Sequence, residues 1–81
     1  MKTIFKTKGV CSRSIAIDTE NGIINSVEFK GGCDGNLIAV SRLVKGMQTK
    51  DAIRILKGIR CGRKDTSCPD QLARALSEMG Q

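Results

Sequence analysis

Apolar positions alternate with polar ones up to Lys30 and recur at three- to four-residue spacing from Leu37 onward. Alternation argues for half-buried strands, and the wider spacing for amphipathic helices. Thr3 to Lys8 reads as a short strand with Ile4 as its inward residue. Ser14-Ile15-Ala16-Ile17-Asp18 alternates polar and apolar and predicts a second strand. Asn21-Gly22 follows, a pair suited to the two positive-φ positions of a type I′ turn. Ile23 to Lys30 alternates again, with Val27 and Phe29 on one face, so residues 14–30 predict a β-hairpin.

The second half predicts three helices. Leu37, Val40, Leu43 and Val44 share one helical stripe, with Asp34 or Asn36 available as a cap and Gly46 as the stop. Thr49 starts the next helix, whose stripe is Ala52, Ile53, Leu56 and Ile59, with Gly58 near its end. Pro69 suits the first position of a third helix, with Ser67 or Cys68 near its N-cap. Leu72, Ala73, Leu76 and Met79 form its apolar stripe, and Gly80 closes it. Strands first and helices second is the order of an α+β layer architecture. The fold expected is an antiparallel three-stranded sheet followed by about three helices on one of its faces, in a single domain over residues 1–81.

Composition narrows the chemistry. The chain has 81 residues, four cysteines, two phenylalanines, and no His, Trp or Tyr. Its core must therefore be aliphatic, and a domain of this size often needs a metal, a disulfide or a partner to staple it. There is no charged-then-apolar leader and no run approaching the ~18 apolar residues of a membrane span. The expectation is a soluble cytoplasmic protein without a membrane partner. Cytosolic thiols favour metal binding or thiol chemistry over disulfides. The net charge is +6, with basic residues spread from Lys2 to Arg74 and acidic ones between them. The densest cluster, Lys57, Arg60, Arg63 and Lys64, reads as a solvated face or as an anion site for a nucleotide phosphate or an acidic partner. No aromatic residues interleave it to stack bases, and no nucleic-acid motif is present.

The four thiols, Cys11, Cys33, Cys61 and Cys68, are the candidate site. Each lies in a turn-rich context, GVCSR, GGCDGN, RCGR and TSCPD. Cys11 precedes the hairpin and Cys33 follows it. Cys61 follows the second helix, and Cys68 starts the third. Helices packed on one sheet face bring these junctions to one end of the domain. Thiols at helix N-termini favour the thiolate, which is the metal-binding form. Four thiolates suit one zinc ion or one iron–sulfur cluster. The alternative for each cysteine is a small buried hydrophobe, since no C-x-x-C pair is present. Glycines near Cys11, Cys33 and Cys61 allow the backbone to turn closely around a ligand. Hydrolytic catalysis lacks a base, because a cysteine nucleophile ordinarily needs a histidine. Asp70 reads as a residue that complements the helix dipole, and Ser67 as a cap.

Two resemblances extend this reading. Thr66-Ser67-Cys68-Pro69-Asp70, Val27-x-Phe29-x-Gly31-Gly32-Cys33-x-Gly35-Asn36-Leu37 and the four-thiol layout resemble short stand-alone members of the TSCPD domain family. Domains of that family also occur attached to adenosylcobalamin-dependent ribonucleotide reductases. The resemblance implies an accessory or metal-binding module for deoxyribonucleotide synthesis; the chain is too short to be a reductase itself. More distantly, Gly32-Cys33-Asp34-Gly35, Leu43-Val44-Lys45-Gly46-Met47, Asp51-Ala52 and Ser67-Cys68-Pro69-Asp70-Gln71-Leu72-Ala73 are similar to stretches of the U-type iron–sulfur scaffold proteins (the NifU/IscU family). That similarity implies an IscU/NifU-like fold with scaffold cysteines at Cys11, Cys33 and Cys68. Ser12-Arg13 stands where the scaffolds have an Asp, Ser67 stands where they have a His, and Cys61 is extra. An all-thiolate set of this kind suits a stable metal site. Cluster scaffolding, sulfur transfer, and dithiol redox chemistry between Cys61 and Cys68 are the alternative roles.

Overall fold

Alternation, hairpin turn and helical stripes produce six elements in the expected order. A computed structural model of the chain describes residues 2–10, 12–31, 35–60 and 65–79. Strands β1 (Lys2–Lys6), β2 (Ser14–Glu20) and β3 (Ile23–Lys30) precede helices α1 (Gly35–Val44), α2 (Thr49–Leu56) and α3 (Cys68–Met79). The strands form one antiparallel sheet in the order β1-β2-β3. The fold is α+β.

The β2–β3 turn follows its chemistry. Asn21 and Gly22 both have positive φ, 54° and 76°, as a type I′ turn requires. Ile15 lies opposite Phe29 and Ile17 opposite Val27, so the four share the inward face. Beyond Asp18 the register shifts: Asp18 faces Ser26 but Thr19 faces Ile24, leaving Asn25 as the extra residue of a bulge. The bulge changes the parity of β3 and turns Ile24 inward, where it is fully buried.

Several sequence expectations are corrected. Ile4 is 71% exposed, because it pairs with the outward Ala16, while Phe5 pairs with the inward Ile15. Phe5 therefore packs on the core in its place, and the strand ends at Lys6 before reaching Lys8. Leu43 is 74% exposed. It lies ~120° around the helix from Leu37, whereas Val44 falls almost directly in line with Leu37. Leu43 instead lines a shallow apolar groove with Val40, Met47 and Ile55. Ile59 follows the end of α2 and is exposed, so it leaves the stripe that Ala52, Ile53 and Leu56 maintain. Helix α1 starts at Gly35, so Asn36 lies inside its first turn; Asp34 and Gly80 lie outside the described residues.

The core joins the inward sheet residues Ile15, Ile17, Ile24 and Val27 to Val44, Ala52, Leu56, Leu72, Ala73, Ala75 and Leu76 from the helices. The opposite sheet face carries Lys2, Ile4, Ala16, Asp18, Ser26 and Glu28. The connector between α1 and α2 is tied to the hairpin. Gly46 N donates to Ile24 O (2.8 Å), Ile24 N to Met47 O (2.9 Å) and Thr49 N to Gly22 O (2.8 Å). The last bond satisfies an N–H at the start of α2 that has no partner within the helix, in place of a side-chain cap, which Gln48 does not supply. Among the described residues, no helix is long and apolar enough to cross a membrane.

Candidate functional site

Among the described residues, the start of α3 gathers most of the buried polar side chains. Ser67, Asp70 and Gln71 are each buried, as are Cys68 and Ser12. Ser67 is the helix cap: its Oγ accepts from Asp70 N at 3.1 Å and donates to the Ile59 carbonyl at 2.7 Å. The hydroxyl thus closes the helix start and fastens the chain leaving α2.

Asp70 occupies the third position after the cap, where a carboxylate is favoured by the helix dipole. Its Oδ1 accepts from Gly58 N at 2.7 Å. Its Oδ2 accepts from the Thr66 hydroxyl and pairs with Arg74 Nε at 3.1 Å. Burial pushes the Asp70 carboxyl up, but the bonds from Thr66 and Gly58 and the charge of Arg74 outweigh it and hold the group below its ordinary value. Asp70 is therefore a structural carboxylate with all its neighbours engaged, and the sequence reading of Asp70 and Ser67 as helix-start residues agrees with these contacts.

Gln71 crosses to the other side of the site. Its Nε2 donates to Thr66 Oγ1 at 3.0 Å, and its Oε1 accepts from Lys8 N at 3.2 Å. This ties the β1–β2 loop to α3. The same loop is closed by Thr7, whose hydroxyl donates to the Ser12 carbonyl and whose N–H donates to Arg13 O at 3.2 Å. Ser12 Oγ then lies 3.2 Å from Cys68 Sγ. On the far side of β2, Arg13 N donates to Lys30 O at 2.7 Å. Gly31, with φ 90°, allows Arg13 to lie close: a Cβ there would stand 2.7 Å from Arg13 Nε. Any side chain at position 31 would need a strained backbone and a displaced arginine.

Of the four predicted ligands, Cys68 is in this cluster, 6% exposed at the first position of α3. Cys11, Cys33 and Cys61 lie outside the described residues. Among the described residues no group of three or more His, Cys, Asp or Glu side chains forms a metal site. Described neighbours of two other thiols meet at the start of α3: Ser12, next to Cys11, touches Cys68, and Ile59, two residues before Cys61, bonds to Ser67; Gly31, two residues before Cys33, packs on Arg13. The Cys68 sulfur is buried at the first position of α3, with the Ser12 hydroxyl 3.2 Å away. In the basic cluster, Lys57 and Arg60 are exposed; Arg63 and Lys64 lie outside the described residues.

Sequence reasoning missed Ser12 and Gln71. Gln71 carried a signal, since it sits at helical spacing between Cys68 and Leu72, Ala75 and Leu76, on the apolar stripe. A polar residue on such a stripe announces a buried hydrogen-bonded group. Ser12 carried none beyond its position next to Cys11.

A three-stranded antiparallel sheet followed by three helices, with a polar network around a Thr-Ser-Cys-Pro-Asp helix start, defines a small α+β cysteine-containing domain. The family model described as TSCPD domain matches residues 1–80, and the chain belongs to that family. Comparison with curated proteins and with solved structures gave no match.

Proposed function

We propose that the protein is a small metal-binding module in which Cys11, Cys33, Cys61 and Cys68 hold one zinc ion or one iron–sulfur cluster. The observation that carries this reading is that Ser12, the neighbour of Cys11, touches Cys68, and that Ile59, two residues before Cys61, bonds to Ser67 at the same helix start. With no histidine in the chain, thiolates are the soft ligands available. When bound, the metal would link the β1–β2 loop, the β3–α1 junction and the α2–α3 loop to α3. The reading assumes a reducing, cytoplasmic setting that keeps thiols available as ligands.

Membership of the TSCPD family supports an accessory role beside a ribonucleotide reductase, with the module contributing binding or stability to deoxyribonucleotide synthesis and the chemistry residing in the partner. A nucleotide or other anion at Lys57 and Arg60 is part of the same proposal. The U-type scaffold and sulfur-carrier role is the alternative, resting on Gly32-Cys33-Asp34-Gly35 and the cysteine order.

The deciding experiment is elemental analysis, with a visible spectrum, of protein purified without oxygen. One zinc per chain without colour supports a structural module. Iron with sulfide and a brown chromophore supports the cluster reading; transfer to an apo-ferredoxin then separates scaffold from resident centre. Metal-free protein with four titratable thiols overturns the ligand reading in favour of dithiol chemistry at Cys61 and Cys68.

A further inference from the structure

Strand β1 stands at the edge of the sheet, with β2 as its hydrogen-bonded neighbour. The register fixes which backbone groups this leaves outside. Thr7 N donates to Arg13 O, in the same register as the ladder from Lys2–Asp18 to Lys6–Ser14. Bonded and non-bonded pairs alternate along an antiparallel ladder, so Thr3 and Phe5 also bond toward β2. The N–H and C=O of Lys2, Ile4 and Lys6 then point away from the sheet, as does the N–H of Lys8. Lys8 N donates to the buried Gln71 side chain at 3.2 Å, which closes the edge at that end. Among the described residues no backbone group bonds to the outward N–H and C=O of Ile4 and Lys6.

Two depressions flank this edge. On the outer face Ile4, 71% exposed, lies beside Ala16. Toward α3, a cleft of about 250 Å³ is lined by Phe5, Lys6, Lys8, Gln71, Arg74 and Glu78. Its three cations face two carboxylates, Glu78 and the Asp70 paired with Arg74, so among the described residues one positive charge is left over. The surrounding sequence has the same sign: Lys2, Lys6, Lys8 and Arg13 all precede the first acidic residue, Asp18. A strand added to β1 sends alternate side chains to opposite faces of the sheet, so one would cover Ile4 and the next would meet the cationic cleft. We propose that the free edge of β1 is a docking strand for an extended segment of a partner protein in which acidic and apolar residues alternate, the segment joining the sheet as a fourth strand. Main-chain bonds to Ile4 and Lys6 give affinity, and the two depressions select the alternation. A second copy of the chain is a poor occupant. An antiparallel β1–β1 pairing centred on Ile4 sets Lys2 opposite Lys6, and like charges directly opposite each other destabilise. Edge lysines oppose self-pairing in this way, and the same charges favour an acidic strand.

The test adds a short acetylated and amidated peptide of alternating Glu and Val to the full chain and follows single amides by NMR hydrogen exchange. In the free protein the amides of Ile4 and Lys6 should exchange fast and those of Thr3 and Phe5 slowly. The peptide should slow Ile4 and Lys6 and leave Thr3 and Phe5 as they were. A peptide of the same composition in scrambled order, one of alternating Lys and Val, and an alternating Glu–Val peptide methylated on the backbone nitrogens that face β1 should each lose this protection. Lys8→Glu, which keeps the backbone bond to Gln71, should weaken the Glu–Val peptide by about fivefold. The N-methylated peptide needs no protein variant, so it decides even if Lys8→Glu does not fold. Binding without protection at Ile4 and Lys6, or equal binding of the scrambled or N-methylated peptide, would reduce the effect to general attraction by a basic surface and overturn the proposal. Absence of binding at about 1 mM peptide, the weak end of specific association, overturns it as well. Protection of Ile4 and Lys6 that rises with protein concentration in the absence of peptide would assign the edge to a second copy, against the proposal.

Discussion

Asp70 shows how one carboxylate can serve as a joint. It binds the backbone leaving α2 through Gly58, the loop before α3 through Thr66, and its own helix through Arg74. Replacing it with Ala leaves the Gly58 N–H and the Thr66 hydroxyl without their acceptor, a loss on the order of 2–3 kcal/mol for bonds to a charged group; urea unfolding measures this. The pH dependence has a definite sign. The folded carboxyl titrates below the ordinary value it has in the unfolded chain. Its contribution is thus complete above about pH 3.9, the ordinary Asp value, and is lost as the pH falls through the lower folded value. Asp70→Asn should flatten this acid limb, and an unchanged limb would assign it to other carboxylates. Ser67 works beside it with both hydrogen-bonding directions in use, so Ser67→Ala should cost about 1–2 kcal/mol in the same assay. Thr at position 67, which keeps the hydroxyl, should recover most of that.

At the scale of elements, hydrophobic period was a sound guide to what each segment is and a poorer guide to which way some side chains face. The hairpin was legible because Asn21-Gly22 specifies its own turn and Ile15 and Ile17 alternate cleanly. Helix α3 was legible because Pro69 marks its start and Leu72, Ala73, Leu76 and Met79 keep the helical spacing. Ile4 was misjudged because a short edge strand takes its parity from its partner's register, and pairing of Phe5 with Ile15 is a tertiary fact. Ile24 escaped for a related reason: a bulge at Asn25 reverses parity within β3, and nothing local in Ile23-Ile24-Asn25 announces it. The helix start was legible as a Ser67 cap followed by Asp70, while the Ser12–Cys68 contact joins residues 56 positions apart, beyond any local pattern. The bulge makes a discriminating prediction. Ile24→Ala should cost about 2–5 kcal/mol, the usual loss for emptying a buried aliphatic site. Ile23→Ala, at a half-buried position, should cost clearly less. Equal costs in denaturant unfolding would contradict the register shift.

For the molecule as a whole, the question is what holds so small a fold together. Its largest fully buried side chains are Ile15, Ile17, Ile24, Leu72 and Leu76, with no aromatic ring among them. A core of that size rarely supplies more than about 3–5 kcal/mol in a domain near 80 residues. The loops that meet at α3 are held by hydrogen bonds from Thr7, Gly58, Ser67 and Gln71, each worth a net ~1 kcal/mol. A four-thiolate metal centre would add on the order of ten kcal/mol, enough to make folding and metal loading one event. Single Cys→Ser substitutions separate this from simple packing. If the four thiols act as a unit, Cys11→Ser, Cys33→Ser, Cys61→Ser and Cys68→Ser should each lose metal and lower the melting temperature by similar, large amounts. Chelation of wild type should then reproduce the same low-melting state. If instead Cys68 acts only through packing, its substitution alone should destabilise, by the ~0.5–3 kcal/mol usual for a buried point substitution. The other three variants and the chelated protein would then melt with wild type. Calorimetry of the four variants with and without chelator distinguishes the two patterns, because a shared ion couples residues that packing alone leaves independent.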